Sequence, residues 1–468
     1  MSSEALEKRT FSEGFVRFCD RWTPNSMVIA YFLTAIVAIL ALIFTDTPFV
    51  SFAIGQPSIV NAWTRGFWSL LELAMQVSLI LITGFVIAST PLVRGFLFKM
   101  SMKPNNMGQA ILMVMAIIPI LNWFHFGLGI MTGIAFGRML VYAAKKKGYK
   151  IHAPLLVTLL YACGITGIGI SQIGSIFGTI PGALQNRFDP TGVLGLPYQL
   201  PLSETAFLPQ NIIMCIIVLF VVFGMAWLMR PKKDSDFVEA SDELIAEIEA
   251  QIKMSQEKPV ITSPSERIDN SIVPSLLMGA FGLLCVVVFM STGGRLDFNG
   301  FNFIMLVFCV VLSGSPARFI KNVQGAIGAT WGIIIQFPFY AGIFGLITYT
   351  GLNEVIVNFF MLFATQRNWP FLAYVYTSIV NFAVPNGAAK FFIVAPYIVE
   401  VGARLDIPLG TIMNAYTAGD VSTNGFIPFW ALPYLAMFKL DFKKILPYLA
   451  FASIGAYLVF SIFFLFVY

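Results

Sequence analysis

Long uninterrupted apolar runs, with no short hydrophobic period, dominate this chain. A helix needs about 20 predominantly apolar residues to cross the hydrocarbon core of a bilayer. Residues 26–44, 67–90, 205–229, 272–290, 301–313, 325–349 and 445–468 read as such spans, the short one from 301 starting nearer Phe298. Ahead of them, Phe11, Phe15, Phe18 and Trp22 recur at helical spacing among Glu13, Arg17, Asp20 and Arg21. That pattern predicts a helix lying in the membrane interface within residues 1–25.

Four further apolar stretches, 108–144, 154–184, 370–404 and 409–438, are broken by Gly, Pro and polar residues. In lipid, a broken helix is tolerated only where protein or water satisfies the freed backbone groups. Lysine and arginine mark cytoplasmic loops, and they flank 108–144 at both ends: Lys99 and Lys103 before it, Arg138 with Lys145, Lys146, Lys147 and Lys150 at its close. This predicts a re-entrant hairpin with its tip near 122–129; two full crossings are the alternative, tight for a stretch of this length at about 17 or more residues per span plus a turn. Stretch 370–404 has a similar length and central break, and reads as a second hairpin entering from outside. With the N-terminus cytoplasmic, Arg65, Arg187, Arg295, Arg367 and Arg404 fall outside, Lys390 falls within the membrane, and the rest of the 29 Lys and Arg fall inside. The expected fold is therefore an all-α polytopic membrane protein with about nine full crossings and two hairpins. Residues 26–229 form the first transmembrane repeat and 298–468 the second. A connecting helix occupies 272–297, and 230–271 is a cytoplasmic linker. That linker carries 10 of the 24 acids. A Leu244, Ile245, Ile248, Ile252 stripe predicts helix over about 236–253; a solvated linker is the simplest reading and a partner-binding segment the other.

Composition agrees with this reading. Apolar residues make up 57% of the chain and charged ones 11%, against about 25% charged in soluble proteins, with a mean hydropathy of +0.80. A soluble enzyme, a nucleic-acid binder and a disordered chain are excluded, and the net charge of +5 reports topology. Five scattered cysteines and two histidines suggest neither a disulfide framework nor a metal or haem centre, so no cofactor is expected. The opening MSSEALEKRT lacks the apolar core of a signal peptide.

The two hairpins align internally. Ile120-Leu121-Asn122-Trp123 matches Ile379-Val380-Asn381-Phe382, Gln76 pairs with Gln336, and Thr166 lies opposite Thr423 and Asn424, all at nearly one offset. Charge placement puts the copies in opposite orientation, with the span from 272 as the odd helix an inversion requires. Inverted repeats whose broken helices meet at the midplane are the mark of secondary transporters. The physics of helix ends puts the binding site at the tips.

The richest segment is Ala418-Gly419-Asp420-Val421-Ser422-Thr423-Asn424-Gly425. Its carboxylate, Asp420, needs a partner or a proton inside a membrane. The opposing Cys163-Gly164-Ile165-Thr166-Gly167-Ile168-Gly169 is rich in glycine, which suits either close packing or an unwound loop. The second tip, Asn381 through Val384-Pro385-Asn386-Gly387 to Lys390, ends on a lone cation that could bridge to Asp420, attract an anion, or do both. His125, beside Asn122, reads as a packed histidine or a proton carrier. Glu72 ranks below Asp420. The expected substrate contacts are Asn122, Thr166, Gly167, Asn381, Pro385, Asn386, Gly387, Lys390, Ser422, Thr423 and Asn424. Asp420 and His125 are the coupling-ion candidates, and a sodium ion could sit near Asn122, Asn381 and Thr423.

Gln336-Phe337-Pro338-Phe339-Tyr340, Asn381-Phe382-Ala383-Val384-Pro385, Pro428-Phe429-Trp430-Ala431-Leu432-Pro433, Gly66-Phe67-Trp68 and Asn122-Trp123 resemble the bacterial short-chain fatty acid transporter family of the ion transporter superfamily. The resemblance implies cation-coupled uptake of a small monocarboxylate, a fatty acid or acetoacetate, by elevator-type alternating access in the inner membrane, with sodium or a proton as coupling ion and a homodimer by analogy. Asn386-Gly387-Ala388-Ala389 replaces the family's serine and glycine run, and Lys390 replaces a histidine. The segment around Asp420 is closer to aminobenzoyl-glutamate and anaerobic dicarboxylate carriers of that superfamily, which keeps dicarboxylates and amino acids as alternatives. A channel is the alternative from another class. The partners implied are the substrate anion and membrane lipids, with no nucleic acid.

Overall fold

The computed structural model describes residues 26–53, 56–256, 261–328, 330–427 and 429–468. The interfacial helix expected in 1–25 lies outside them, as does Pro428. The regular structure of the described residues is helical, its principal helices being α1 (Ser26–Phe44), α2 (Ile59–Phe67), α3 (Leu71–Ser89), α4 (Pro91–Ser101), α5 (Met107–Phe124), α6 (Phe126–Lys147), α7 (Ala153–Ala162), α8 (Pro209–Leu228), α9 (Asp242–Gln256), α10 (Val273–Ser291), α11 (Phe298–Ser313), α12 (Pro316–Ile327), α13 (Trp331–Tyr349), α14 (Leu352–Met361), α15 (Trp369–Ala383), α16 (Gly387–Arg404), α17 (Leu409–Ser422), α18 (Leu432–Phe438) and α19 (Phe442–Phe466). Eight of these are long and apolar enough to cross a membrane: α1, α3, α5, α6, α8, α10, α13 and α19. The span expected from 301 does begin at Phe298, and the one expected from 67 is divided at 68–70 between α2 and α3.

The helices recur in order. Leu71 and Trp331, which open α3 and α13, are 260 residues apart, as are Ser89 and Tyr349, which close them. The pair α5–α6 breaks at one extended residue, His125, and the pair α15–α16 at 384–386. Each second arm starts with a side-chain cap: His125 accepts from the Leu128 N–H and Asn386 from the Ala389 N–H. These caps satisfy donors that a helix N-terminus leaves orphaned. After α7 the chain has no regular helix until Ile173, so the glycine-rich stretch forms an unwound segment. After α17, two 3₁₀ turns precede α18.

Packing defines two groups of helices. In one, α13 lies along α2, α1 and α3, and α3 carries α11 and α12. In the other, α8 packs on α19 and α15 on α17, with α19 also against α7. The groups meet chiefly through α3 against α6 and α13 against α16. A methyl group on Gly84 would overlap the backbone of Gly127 and Leu128, so this crossing of α3 and α6 is a backbone-to-backbone approach that only glycine permits. By contrast α1 and α10, both strongly apolar, are mostly exposed on the outside of the helix packing.

The linker is docked, with its helix running from 242 to 256. Leu244 and Ile248 of α9 are buried, and its acids pair with cations of both halves: Glu247 with Arg138 at 2.7 Å, Asp242 with Lys145 at 3.1 Å, and Glu243 with Lys439 at 2.7 Å. Arg138 also donates to the Met437 carbonyl. Just upstream, the Val238 N–H donates to His152 Nδ1 and the Val238 carbonyl accepts from Ala153, while His152 Nε2 reaches the Tyr448 hydroxyl at 2.9 Å. Burial pushes the His152 imidazole down to about 4, and the Arg138 guanidinium holds the Glu247 carboxyl below the usual carboxylate range.

Candidate functional site

The unwound segment after α7, the tips of both helix pairs and the turn after α17 converge on a cavity of about 90 Å³. Asn122, Asn386, Gly387, Asp420 and Asn424 line it, as do Tyr161, Ser171, Gln172, Trp430 and Tyr434. Hydrophobic side chains of α3, α11 and α13 complete the wall.

Behind Asp420 lies a buried ion pair. Lys390 Nζ, with its side chain fully enclosed, donates to Asp420 Oδ1 at 2.7 Å and to Asn381 Oδ1 at 2.7 Å. Asn381 Nδ2 stands 2.9 Å from the Asp420 carbonyl, 3.0 Å from Thr423 Oγ1 and 2.9 Å from Asn424 Oδ1. One asparagine thus ties the second tip to the turn after α17 and accepts from the lysine as well. The ammonium also lies 5.6 Å from the centre of the Tyr416 ring. A side chain at Gly387 would collide with the Asp420 carboxylate, so glycine is what lets the tip approach it. The tip is pinned on both sides, Trp430 Nε1 donating to the Pro385 carbonyl at 2.8 Å and the Tyr416 hydroxyl to the Gly387 carbonyl.

In the first half, any side chain at Gly129 would overlap Asn122. Asn122 is 4% exposed, lines the cavity and makes no side-chain hydrogen bond among the described residues. His125 is enclosed and has both ring nitrogens engaged. Nδ1 accepts the Leu128 N–H, which leaves the ring proton on Nε2, 3.2 Å from Thr83 Oγ1. Thr166 turns back on the Cys163 carbonyl at 2.9 Å, and Gly167 packs near the Trp123 ring and Cys215. Ser422 faces Tyr374 at 3.4 Å. Glu72 is exposed and reaches Gln76 at 3.4 Å.

Of the residues singled out in the sequence, Asn122, Asn386, Gly387, Asp420 and Asn424 face the cavity. Asn381, Pro385, Lys390 and Thr423 support it from behind, while Thr166, Gly167, Ser422 and His125 point elsewhere. Sequence reasoning passed over Tyr161, Trp430 and Tyr434. Tyr161 donates to the Asn424 carbonyl at 2.9 Å and so bridges the halves. Their position beside the helix breaks was the available signal. No group of three or more His, Cys, Asp or Glu is gathered for a metal among the described residues.

Stacked apolar helices, broken at their centres around a small cavity with an enclosed ion pair, make this a multi-pass membrane transporter. A family model described as short chain fatty acid transporter matches residues 8–467. The chain belongs to that family, and its members are transporters, not enzymes. Two relatives carry the name "Putative short-chain fatty acid transporter". The Escherichia coli one is 29% identical over 457 residues, 96% of this chain and 98% of the relative. The Haemophilus influenzae one is 28% identical over 439 residues, 92% of this chain and 93% of the relative. In fold, the chain is similar to the crystal structure of the Alcanivorax borkumensis YdaH transporter, with a TM-score of 0.55, 14% identity and 94% and 98% of the two chains covered. It is also similar to Neisseria gonorrhoeae MtrF, with a TM-score of 0.51, 15% identity and 97% of each chain covered.

Proposed function

We propose that this protein carries a short-chain monocarboxylate across the inner membrane together with a proton, and that Asp420 holds the proton. The observation that carries this reading is the orientation of the ion pair: Lys390 is wholly enclosed while Asp420 borders the cavity. An incoming carboxylate meets Asp420 first. Two carboxylates in one low-dielectric site cannot both stay charged. Protonation of Asp420 releases the Lys390 ammonium to the substrate, so anion and proton enter together and the site stays neutral. Asp420, and not His125, takes the proton because both His125 ring nitrogens are already committed. Asn122 and Asn424 orient the anion.

The names of the relatives and the small cavity support a small monocarboxylate. A dicarboxylate would need a second cation, and Lys390, bonded to Asp420, is the cation joined to the lining among the described residues. Sodium in place of the proton would draw on the same amide and hydroxyl oxygens of Asn122, Asn381 and Thr423. The movement proposed is an elevator-type exchange between the two oppositely oriented halves. Uptake of labelled butyrate or acetoacetate into proteoliposomes, with the pH and sodium gradients varied separately, tests the reading. Asp420→Asn is expected to abolish accumulation driven by a pH gradient while leaving counterflow exchange. Full-rate gradient-driven uptake by that variant refutes the role of Asp420, and uptake that follows sodium alone refutes the proton.

A further inference from the structure

The cavity takes its polar groups and much of its apolar wall from different parts of the molecule. Asp420 and Asn424 belong to α17 and the turn after it, and Gly387 opens α16. Its apolar lining includes Val77 and Ile80 of α3, Phe298 at the start of α11, and Ile333 of α13. All four side chains are buried, at 6%, 1%, 0% and 5% exposure. Their helices belong to one packed group: α3 carries α11 and also packs on α13.

The size of the cavity is restrictive. An apolar cavity of about 150 Å³ holds a benzene molecule, and this one measures about 90 Å³. A carboxylate beside Asp420 leaves room for only a few methylene groups among the apolar residues that line the cavity.

We propose that Val77, Ile80, Phe298 and Ile333 are the specificity-determining residues for alkyl-chain length, reading the tail of a carboxylate whose head is held at Lys390 and Asp420. The inference rests on the monocarboxylate reading above. Head and tail are read by different helix groups, so a tail that is too long presses the α3 and α13 side away from the tips, and one that is too short leaves a void. Each methylene of mismatch in such a pocket changes discrimination by about tenfold or more.

The test is a chain-length profile. Proteoliposomes holding the full chain are assayed for counterflow of labelled acetate, propionate, butyrate, hexanoate and octanoate at alkaline pH, where leakage of the uncharged acids is small. Ile333→Ala and Ile80→Ala are expected to raise the hexanoate-to-butyrate ratio about tenfold. Val77→Phe is expected to lower butyrate relative to acetate by a similar factor. The ratio is the readout because poor folding lowers all rates in common. Leu446→Ala, at a buried position of α19 that does not line the cavity, is expected to leave the ratio unchanged. Should an alanine variant fail to fold, Ile333→Val and Ile80→Val remove one methyl and keep the same sign. Unchanged ratios in variants that still transport overturn the proposal. Absence of counterflow for every monocarboxylate in the unaltered protein instead refutes the functional reading, and the tail-reading role with it.

Discussion

Replacing Lys390 with methionine tests the energetics on which the site depends. The ammonium is fully enclosed and donates to two oxygens at 2.7 Å. Its removal leaves the Asp420 carboxylate, whose side chain is 10% exposed, without a counter-charge, and strands Asn381 Oδ1. Breaking one partner of a buried pair costs about 3–5 kcal/mol, whereas replacing both partners by neutral groups of similar volume is close to neutral. Lys390→Met is therefore expected to lose about 3–5 kcal/mol, seen as a lower melting temperature in detergent by tryptophan fluorescence. The double variant Lys390→Met with Asp420→Asn is expected to recover at least half of that loss, because the uncompensated charge is gone. Contacting residues behave non-additively in this way, and the cycle measures their coupling. If the double variant is as unstable as the sum of the two single ones, the two side chains do not interact as described and the charge-exchange argument for co-transport falls with them.

The docked linker and its anchors provide two further checks. Glu247→Ala removes the partner of Arg138, whose side chain is only 5% exposed, and leaves it the Met437 carbonyl; a loss of about 2 kcal/mol in stability is expected, with Glu247→Asp losing less, both read as melting temperatures. His152 has a folded-state value of about 4 against an ordinary 6.5, so it binds fewer protons folded than unfolded, and its contribution to stability is complete above pH 6.5 and is lost as pH falls toward 4. Protonation would also remove the acceptor for the Val238 N–H. The melting temperature of His152→Gln is accordingly expected to fall less than that of the unaltered protein across that window, and parallel curves would show that His152 does not titrate as described.

Much of this molecule was legible in its sequence because a bilayer is an undemanding solvent to read. Apolar runs of fixed length, lysines on one side and glycine or proline at a break each follow from transfer energies that depend on local composition. The spans from 26, 205 and 272 and a break within 122–129 were accessible in that way, and the recurrence of Asn122 at Asn381 was accessible from the internal repeat. So was Asp420, because an acid inside an apolar stretch advertises its own cost. Contacts between segments distant in the chain were not accessible. That Asn381 meets Asp420, Thr423 and Asn424 at once, or that Trp430 pins Pro385, depends on how the broken helices cross. The docking of the linker was not accessible for a related reason: its acids stay largely exposed, and only the structure shows α9 lying across Arg138, Lys145 and Lys439. The tail wall of α3, α11 and α13 was hidden altogether, since Val77 and Ile333 differ in no local way from residues that face lipid. Composition alone settles which segments leave water, but only the packing of helices against one another decides which of their side chains enclose a cavity, because that choice is made by steric fit between surfaces that are equally apolar.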